Sequence, residues 1–373
     1  MKRPVVTSFT RFTRRHALLA LSATALAPAQ AQDIVEAPAP MRFPRDHGAH
    51  LDARTEWWYI TGQLQAPSLK APVGFQITFF RSRVEPAQGN PSAMAAKHLI
   101  MAHVALSDPT AQRQWHEQRL ARAGLGLSEV STEDTAVHLR DWSLSRQNAA
   151  EGSRYTARIQ AQAFGLDLSL TSTQRVLLQG DEGISRKGPQ AGHFSHYYSQ
   201  PQLAVQGQLT RKDSATQQPL AVTGRAWLDH EWSDAYLPQG AAGWDWIGMN
   251  LQNGSALMAF RMRRADGSTL WAGGTFRAPG RAAQTFPAGE VHFKPGRTWQ
   301  SPATGARYPV QWSVETPAGR FEVRARFDAQ ELDAHQSTGT VYWEGLSALL
   351  DAQGREVGSG YLEMTGYAGT LSL

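Results

Sequence analysis

The chain has 373 residues, room for two domains, and its 37 Lys and Arg against 32 Asp and Glu give a formal charge of +5. Lys2, Arg3, Arg11, Arg14 and Arg15 fall in the first 31 residues, which hold no acid. The remainder is therefore formally neutral and lacks the basic excess that phosphate tracking needs, which excludes a nucleic-acid partner. The absence of cysteine excludes disulfides, thiolate metal sites, iron–sulfur clusters and cysteine nucleophiles, while 12 Trp, 9 Tyr and 14 Phe promise large buried or ligand-facing aromatic surfaces.

In chain order, Arg14-Arg15 precede an apolar run from Ala17 to Ala27, too short to span a bilayer and suited to a signal-peptide h-region. Ala29-Gln30-Ala31 follows with a small-x-small cleavage pattern. Twin arginines before a mildly apolar run read as a twin-arginine export signal over residues 1–31, placing the protein in the periplasm or outside the cell. Residues 32–42 read as a linker.

The rest is β-rich. Strand candidates in the first half are Trp57–Leu64, Val73–Val84, His98–Leu106, Tyr155–Leu170 and Leu203–Leu209. In the second half Trp244–Leu251 and Ala256–Met262 flank Asn253-Gly254, a strong hairpin signal, and Asp266-Gly267 turns the chain toward Thr269–Phe276. Tyr308–Val314, Arg320–Phe327, Thr340–Leu346 and Tyr361–Tyr367 complete the pattern. Such spacing argues for antiparallel barrels or sandwiches. The polar stretch Arg211–Pro219 suggests a boundary, dividing the chain into domains 43–215 and 216–373. Each half carries a Trp-rich strand, at Trp57-Trp58-Tyr59 and at Trp244-Asp245-Trp246.

Leu228-Asp229-His230-Glu231-Trp232 sets three ionisable groups in an aromatic frame. If extended, it places His230 and Trp232 on one face and Asp229 and Glu231 on the other. Burial without partners is too costly for such groups, so the cluster is either a polar network at the domain junction or a proton-handling site in a cavity. Asp245, between Trp244 and Trp246, is either a desolvated acid with a raised pKa or part of a solvated face. His47 and His50, like His193 and His196, have metal-ligand types at i, i+3 but no helix to align them, so hydrogen-bonded or surface histidines are expected and no metal or cofactor. His103, in an apolar strand, reads as a satisfied core histidine. No phosphate loop and no G-x-S-x-G elbow is present.

The segments Phe43–His50, Thr55–Gly62, Ser195–Ser199, Leu228–Trp232 and Gly243–Gly248 together resemble the hydroxyneurosporene synthase (carotenoid 1,2-hydratase) and AttH-like family, over roughly residues 43–370. The resemblance implies two consecutive lipocalin-like antiparallel β-barrel domains. It also implies chemistry between hydration of polyene ends and pericyclic cyclisation. The family's His-x-Trp motif falls on His230 and Trp232 and its following acid on Asp245, where this sequence has flanking tryptophans and the hydratases carry a nearby tyrosine.

On these grounds Asp245 is expected to protonate an alkene, Trp232, Trp244 or Trp246 to face the cation, and His230 to activate water as base. Trp58, Tyr59, Tyr197, Trp244 and Trp246 are expected to line the ligand site, with His50, Glu56, Asp229 and Glu231 as its supporting polar network. The expected partner is a hydrophobic small molecule (a polyene, an isoprenoid or an acyl chain), with transient association with a membrane or an ABC transporter. The competing expectation is a non-catalytic periplasmic lipid or polyketide carrier; a hydrolase ranks last, since no nucleophile–base pair is visible.

The export signal yields a direct expectation. Replacing Arg14 and Arg15 by lysine should leave the precursor in the cytoplasm, whereas the unaltered chain is recovered from the periplasm starting at Gln32. Fractionation and N-terminal sequencing read this out, and undiminished periplasmic protein in the double variant counts against a twin-arginine route.

Overall fold

The computed structural model describes residues 39–150, 152–212, 218–235 and 237–369. The leader, residues 32–38 of the linker and the centre of the expected domain boundary lie outside them.

The described residues form an all-β structure without α-helix. The first sheet begins with four long strands in a meander: β1 (Thr55–Gln65), β2 (Val73–Arg83), β3 (His98–Asp108) and β4 (Arg113–Arg122). The short strands β5 (Ser128–Val130) and β6 (Ala136–Leu139) lead into β7 (Trp142–Ala149), β8 (Gly152–Gln160) and β9 (Phe164–Thr171). After β10 (Leu177–Leu178) and β11 (Ile184–Arg186) come the long β12 (Phe194–Arg211) and β13 (Leu220–Ser233). Their spatial order is β4-β3-β2-β1-β13-β12-β9-β8-β7-β6-β5, antiparallel throughout, with β10 and β11 on β12. The path nearly closes, because the β4–β5 turn bridges Gly124 to Ser128 and Arg119 reaches over the Trp142 ring of β7.

The second sheet opens with the meander β14 (Gly243–Leu251), β15 (Ala256–Arg263) and β16 (Thr269–Arg277), hinged at Asn253-Gly254 and Asp266-Gly267. The φ of +85° at Gly254 and +84° at Gly267 is why glycine serves both turns. There follow β17 (Gln284–Phe286), β18 (His292–Pro295), the separate pair β19 (Thr298–Gln300) and β20 (Arg307–Pro309), β21 (Gln311–Thr316) and β22 (Gly319–Ala325). Finally come β23 (Glu331–Ala334), β24 (Thr340–Leu350) and β25 (Glu356–Met364), and β25 returns to pair with β14. The spatial order is β17-β16-β15-β14-β25-β24-β22-β21-β18, with β23 on β24.

Each sheet curls round its own core. Trp58, Ile60, Phe75, Phe79, Leu166 and Leu228 are among the side chains filling the first barrel. Ile247, Met249, Trp312, Val323, Trp343 and Leu362 are among those filling the second. A third apolar cluster belongs to neither interior: Tyr59, Tyr197, Trp227, Trp246, Phe260 and Tyr361 are buried where the outer face of one barrel meets the outer face of the other.

Two expectations need correcting. The domain division is displaced, because β13 pairs with both β1 and β12 and so belongs to the first barrel; the sheets part between Ser233 and Gly243. The apolar content that suggested one strand over Tyr155–Leu170 makes two, β8 and β9, hinged at residues 161–163. Strand β4 escaped notice because it is an edge strand rich in Arg, Gln and His, which is how exposed edges avoid pairing with other chains.

Candidate functional site

The strands at the junction put alternate side chains into different compartments. On β1, Glu56 and Trp58 point into the first barrel while Trp57 and Tyr59 point toward the second. On β13, His230 and Trp232 point inward while Trp227, Asp229 and Glu231 point outward. On β14, Asp245 points into the second barrel and Trp244 and Trp246 toward the first. The outward residues enclose a cavity of about 1130 Å³, counting its solvent-open part, between the two sheets.

Aromatic and carboxylic side chains dominate that cavity. Trp57, Phe80, Trp244, Trp246 and Phe260 form apolar walls; Asp229, Glu231, Glu344 and Glu363 project between them. In the sheet register Glu363 pairs with Trp246 on one side and Glu344 on the other, so the two acids and the indole lie side by side. Tyr59 donates a short hydrogen bond to Glu344, and Gln76 donates to its other oxygen at 3.3 Å. Asp229 accepts from Ser199 and, at 2.7 Å, from the Trp227 indole.

Burial pushes Asp229 up to about 7, against its hydrogen bonds from Ser199 and Trp227. Burial, reinforced by Glu231 and Asp229, pushes Glu363 up to about 7 as well. Glu344 rises well above the carboxylate range through burial and the adjacent Glu363. Of these four acids, only Glu231 has a cation among the described residues, Lys187 at 2.8 Å, and that ammonium also lies over the Tyr197 and Phe260 rings. At the far wall His103, pushed down to about 3 by burial, hydrogen-bonds Tyr342 at 2.8 Å and Ser337 at 2.7 Å.

The inward residues build a different centre at one end of the first barrel. Glu56 accepts from Arg81 Nε at 2.9 Å, His50 Nδ1 at 2.8 Å, the His50 amide and His230 Nε2 at 2.9 Å. Burial opposes its charge, yet the hydrogen bonds from both histidines, with Arg81, hold Glu56 below the usual carboxylate range. Burial pushes His230 down against the pull of Glu56. With Nε2 donating to Glu56, its Nδ1 accepts from the Tyr198 hydroxyl at 3.2 Å. Burial also opposes charge on His50, but Asp46 and Glu56 overcome it and raise its pKa. Trp232 is sandwiched between His50, 3.6 Å away and parallel, and His196 at 5.1 Å.

His50, Glu56 and His230 bring their ligand-type atoms within 4.8 Å of one another. A cation there would have to displace hydrogen bonds already made and sit beside the buried guanidinium of Arg81, so the arrangement suits a salt-bridged network better than a metal.

The expected site residues thus divide. Tyr59, Tyr197, Asp229, Glu231, Trp244 and Trp246 meet at the inter-barrel cavity. His50, Glu56, Trp58, His230 and Trp232 meet inside the first barrel, on the opposite face of the same strands. Asp245 joins neither group. It is ion-paired to Arg261 at 2.6 Å and accepts from Tyr367 at 2.8 Å inside the second barrel, so its two tryptophan neighbours face away from it. A guanidinium and a phenol surround it in place of the expected indoles. The cavity that gathers the expected ligand-site aromatics, Trp58 excepted, is a cleft between the barrels. His103 is the satisfied buried histidine it was expected to be, and three charged cavity residues escaped the reading of the sequence: Lys187, Glu344 and Glu363. The signal available for the last two was a single acid within an apolar strand, at Tyr342-Trp343-Glu344 and Leu362-Glu363-Met364.

Comparison with known proteins agrees with this architecture. Residues 34–367 match the profile of a family described as AttH-like. A protein of Nitrosomonas europaea described as an AttH is 45% identical, covering 88% of this chain and 98% of its own, with a TM-score of 0.80. Kievitone hydratase from Nectria haematococca shares the fold at 13% identity and a TM-score of 0.65, covering 88% and 94%. CghA, solved with Sch210972, shares it at 13% identity and 0.52, covering 86% and 90%. Among curated proteins none matches.

The two centres respond oppositely to substitution. Glu56→Gln leaves the buried Arg81 facing no carboxylate and His50 with Asp46 alone, and should cost about 3–5 kcal/mol near neutral pH. Glu56's own contribution, present above the unfolded value near 4.5, fades as pH falls through its lower folded value. Asp229 has the opposite sign: its unfolded carboxyl ionises from 3.8 while the folded one keeps its proton to about 7, so it subtracts stability as pH rises through that window. Asp229→Asn should therefore melt higher than wild type at about pH 8 and show no gain below about pH 4. Thermal melts across pH read out both variants, and a destabilised Asp229→Asn at alkaline pH would contradict the protonated form.

Proposed function

The chain belongs to the AttH-like family, and from that premise we propose that its inter-barrel cavity binds a hydrophobic unsaturated molecule and adds water across an alkene by acid catalysis. The observation carrying the proposal is Glu363, an acid pushed up to about 7, half-buried, lining the cavity and flanked in register by Trp246. A carboxylic acid can protonate an alkene only while it holds its own proton, and a pKa near neutrality supplies both donation and recovery. The kinship in fold with kievitone hydratase supports the same class of reaction.

In this reading Glu363 transfers its proton to one alkene carbon, and the other carbon becomes cationic. The faces of Trp244 and Trp246 stabilise that cation. Water adds to it, and the proton released from the resulting oxonium returns to the Glu363 carboxylate, directly or through Asp229. Alkene and water are consumed, alcohol is formed, and the acid is restored. Glu344, held protonated and hydrogen-bonded to Tyr59, keeps a second negative charge away from Glu363. The catalytic role once expected of Asp245 passes to Glu363, and His230 becomes a positioning residue for the β1–β13 pair. Export on the twin-arginine leader forms part of the proposal and rests on residues 1–31 alone.

A carrier would have no use for unneutralised acids in its cavity, since each lowers stability at neutral pH. The test measures deuterium incorporation from heavy water into a panel of polyenes and isoprenoids, alongside binding by tryptophan quenching. Glu363→Gln should depress incorporation about a hundredfold or more with affinity changed little. Asp245→Asn should lower thermal stability and leave turnover per folded molecule intact. Saturable binding by wild type without any incorporation would remove the enzyme and leave the carrier.

A further inference from the structure

Six large apolar side chains among the described residues are exposed, and the four most exposed lie close in sequence at one edge of the first barrel: Met94 at 65%, Leu125 at 61%, Leu127 at 46% and Leu120 at 42%. Arg122 ties the Met94 loop to β4, donating to the Ala93 carbonyl at 3.3 Å and to the Met94 sulfur at 3.5 Å. Leu125 forms the tip of the β4–β5 turn, with φ +58° between Gly124 at +97° and Gly126 at +71°. A leucine in the left-handed region costs of the order of 1 kcal/mol, and here no core contact repays it. The turn spends conformational energy to hold an apolar side chain in solvent.

This edge is connected to the cavity by strand register. Trp57 of β1 pairs with Phe80 of β2, Phe80 with Met101 of β3, and Met101 with Leu120 of β4. Directly opposed residues share a face, so these four side chains form one unbroken apolar ladder across the outer surface of the sheet. Its first three members line the cavity and its last stands in solvent. The flanking ladders are polar where they reach β4, at Gln118 and Arg122. Gln118 is covered by hydrogen bonds with the Asp333 carbonyl and Ser337, and this cover from the second barrel stops short of Leu120. Lys97 and Arg122 flank the patch, and neither has a carboxylate partner among the described residues.

We propose that the edge formed by Met94, Leu120, Leu125 and Leu127 docks on an anionic lipid surface, and that apolar ligand passes from it along the Leu120–Met101–Phe80–Trp57 ladder into the cavity. Exposed leucines at a turn insert into the headgroup boundary while adjacent cations meet lipid phosphates, the composition of an interfacial anchor. The transfer half of this inference rests on the cavity being the ligand site; the docking half does not.

The experiment uses the purified protein with vesicles of phosphatidylcholine alone or mixed equally with phosphatidylglycerol, and the variant Leu125→Glu/Leu127→Glu, whose altered residues lie outside the cavity. Wild type should sediment with the anionic vesicles, and the variant about tenfold less or weaker, the scale of losing two inserted leucines. Equal sedimentation of the two proteins, or no preference of wild type for anionic vesicles, overturns docking. Retinol loaded into those vesicles should then quench tryptophan fluorescence in wild type faster than in the variant, and equal rates overturn the transfer path. Retinol diluted from ethanol should quench both proteins alike; failure of that arm alone rejects the cavity as ligand site while leaving docking as measured.

Discussion

Where the barrels meet, the strands have no solvent face. Along residues 55–64 of β1, 226–233 of β13, β14 and 361–364 of β25, one set of alternate side chains fills a barrel and the other set faces the neighbouring barrel. A strand in that position has to be apolar or fully partnered on both sides, because an unpaired buried polar group costs as much as a packed side chain gains. The molecule's ionisable groups are therefore sorted strictly by residue parity. A shift of one residue in any of these ladders would exchange the contents of the cavity with those of a core.

The sorting has an electrostatic pattern. Acids that point into the barrels meet arginine: Glu56 meets Arg81, and Asp245 meets Arg261. Acids that point into the cleft meet tyrosine, tryptophan, glutamine or one another, with Lys187 alone supplying a cation to Glu231. The first arrangement stiffens the scaffold, while the second withholds a counter-charge from Asp229, Glu344 and Glu363 and raises their pKa values. Near-identical sequence contexts, an acid between aromatic residues on a β-strand, thus lead to opposite chemistry according to which face of the strand is taken.

That explains what could be read in advance. The all-β class, the Asn253-Gly254 hairpin and the separation of Asp229 and Glu231 from His230 and Trp232 follow from local pattern and the period of two. Which face looks into a cavity is a tertiary fact: Asp245, expected beside the ligand, lies inside the second barrel, whereas Glu363 lines the cavity. Tryptophan neighbours in sequence suggested desolvation of Asp245, but neighbours at i±1 point the other way. Glu363 has Leu362 and Met364 beside it, both in the core of the second barrel, and gains its indole only across the sheet from β14. The boundary was misplaced on similar grounds: β12 and β13, on either side of that polar stretch, pair with each other in the first barrel.

The central pairing of β1 with β13 also sets an order of events in synthesis. Glu56 waits 174 residues for His230, so the end network of the first barrel cannot be completed until well over half of the chain has emerged. Loop closure over that distance is slow compared with the local meander of β1 to β4. During the interval Trp57, Phe80 and Met101 stand in solvent on one side of an unfinished sheet, an invitation to wrong pairing. A chain built this way stays open to wrong pairing until β13 has docked on β1.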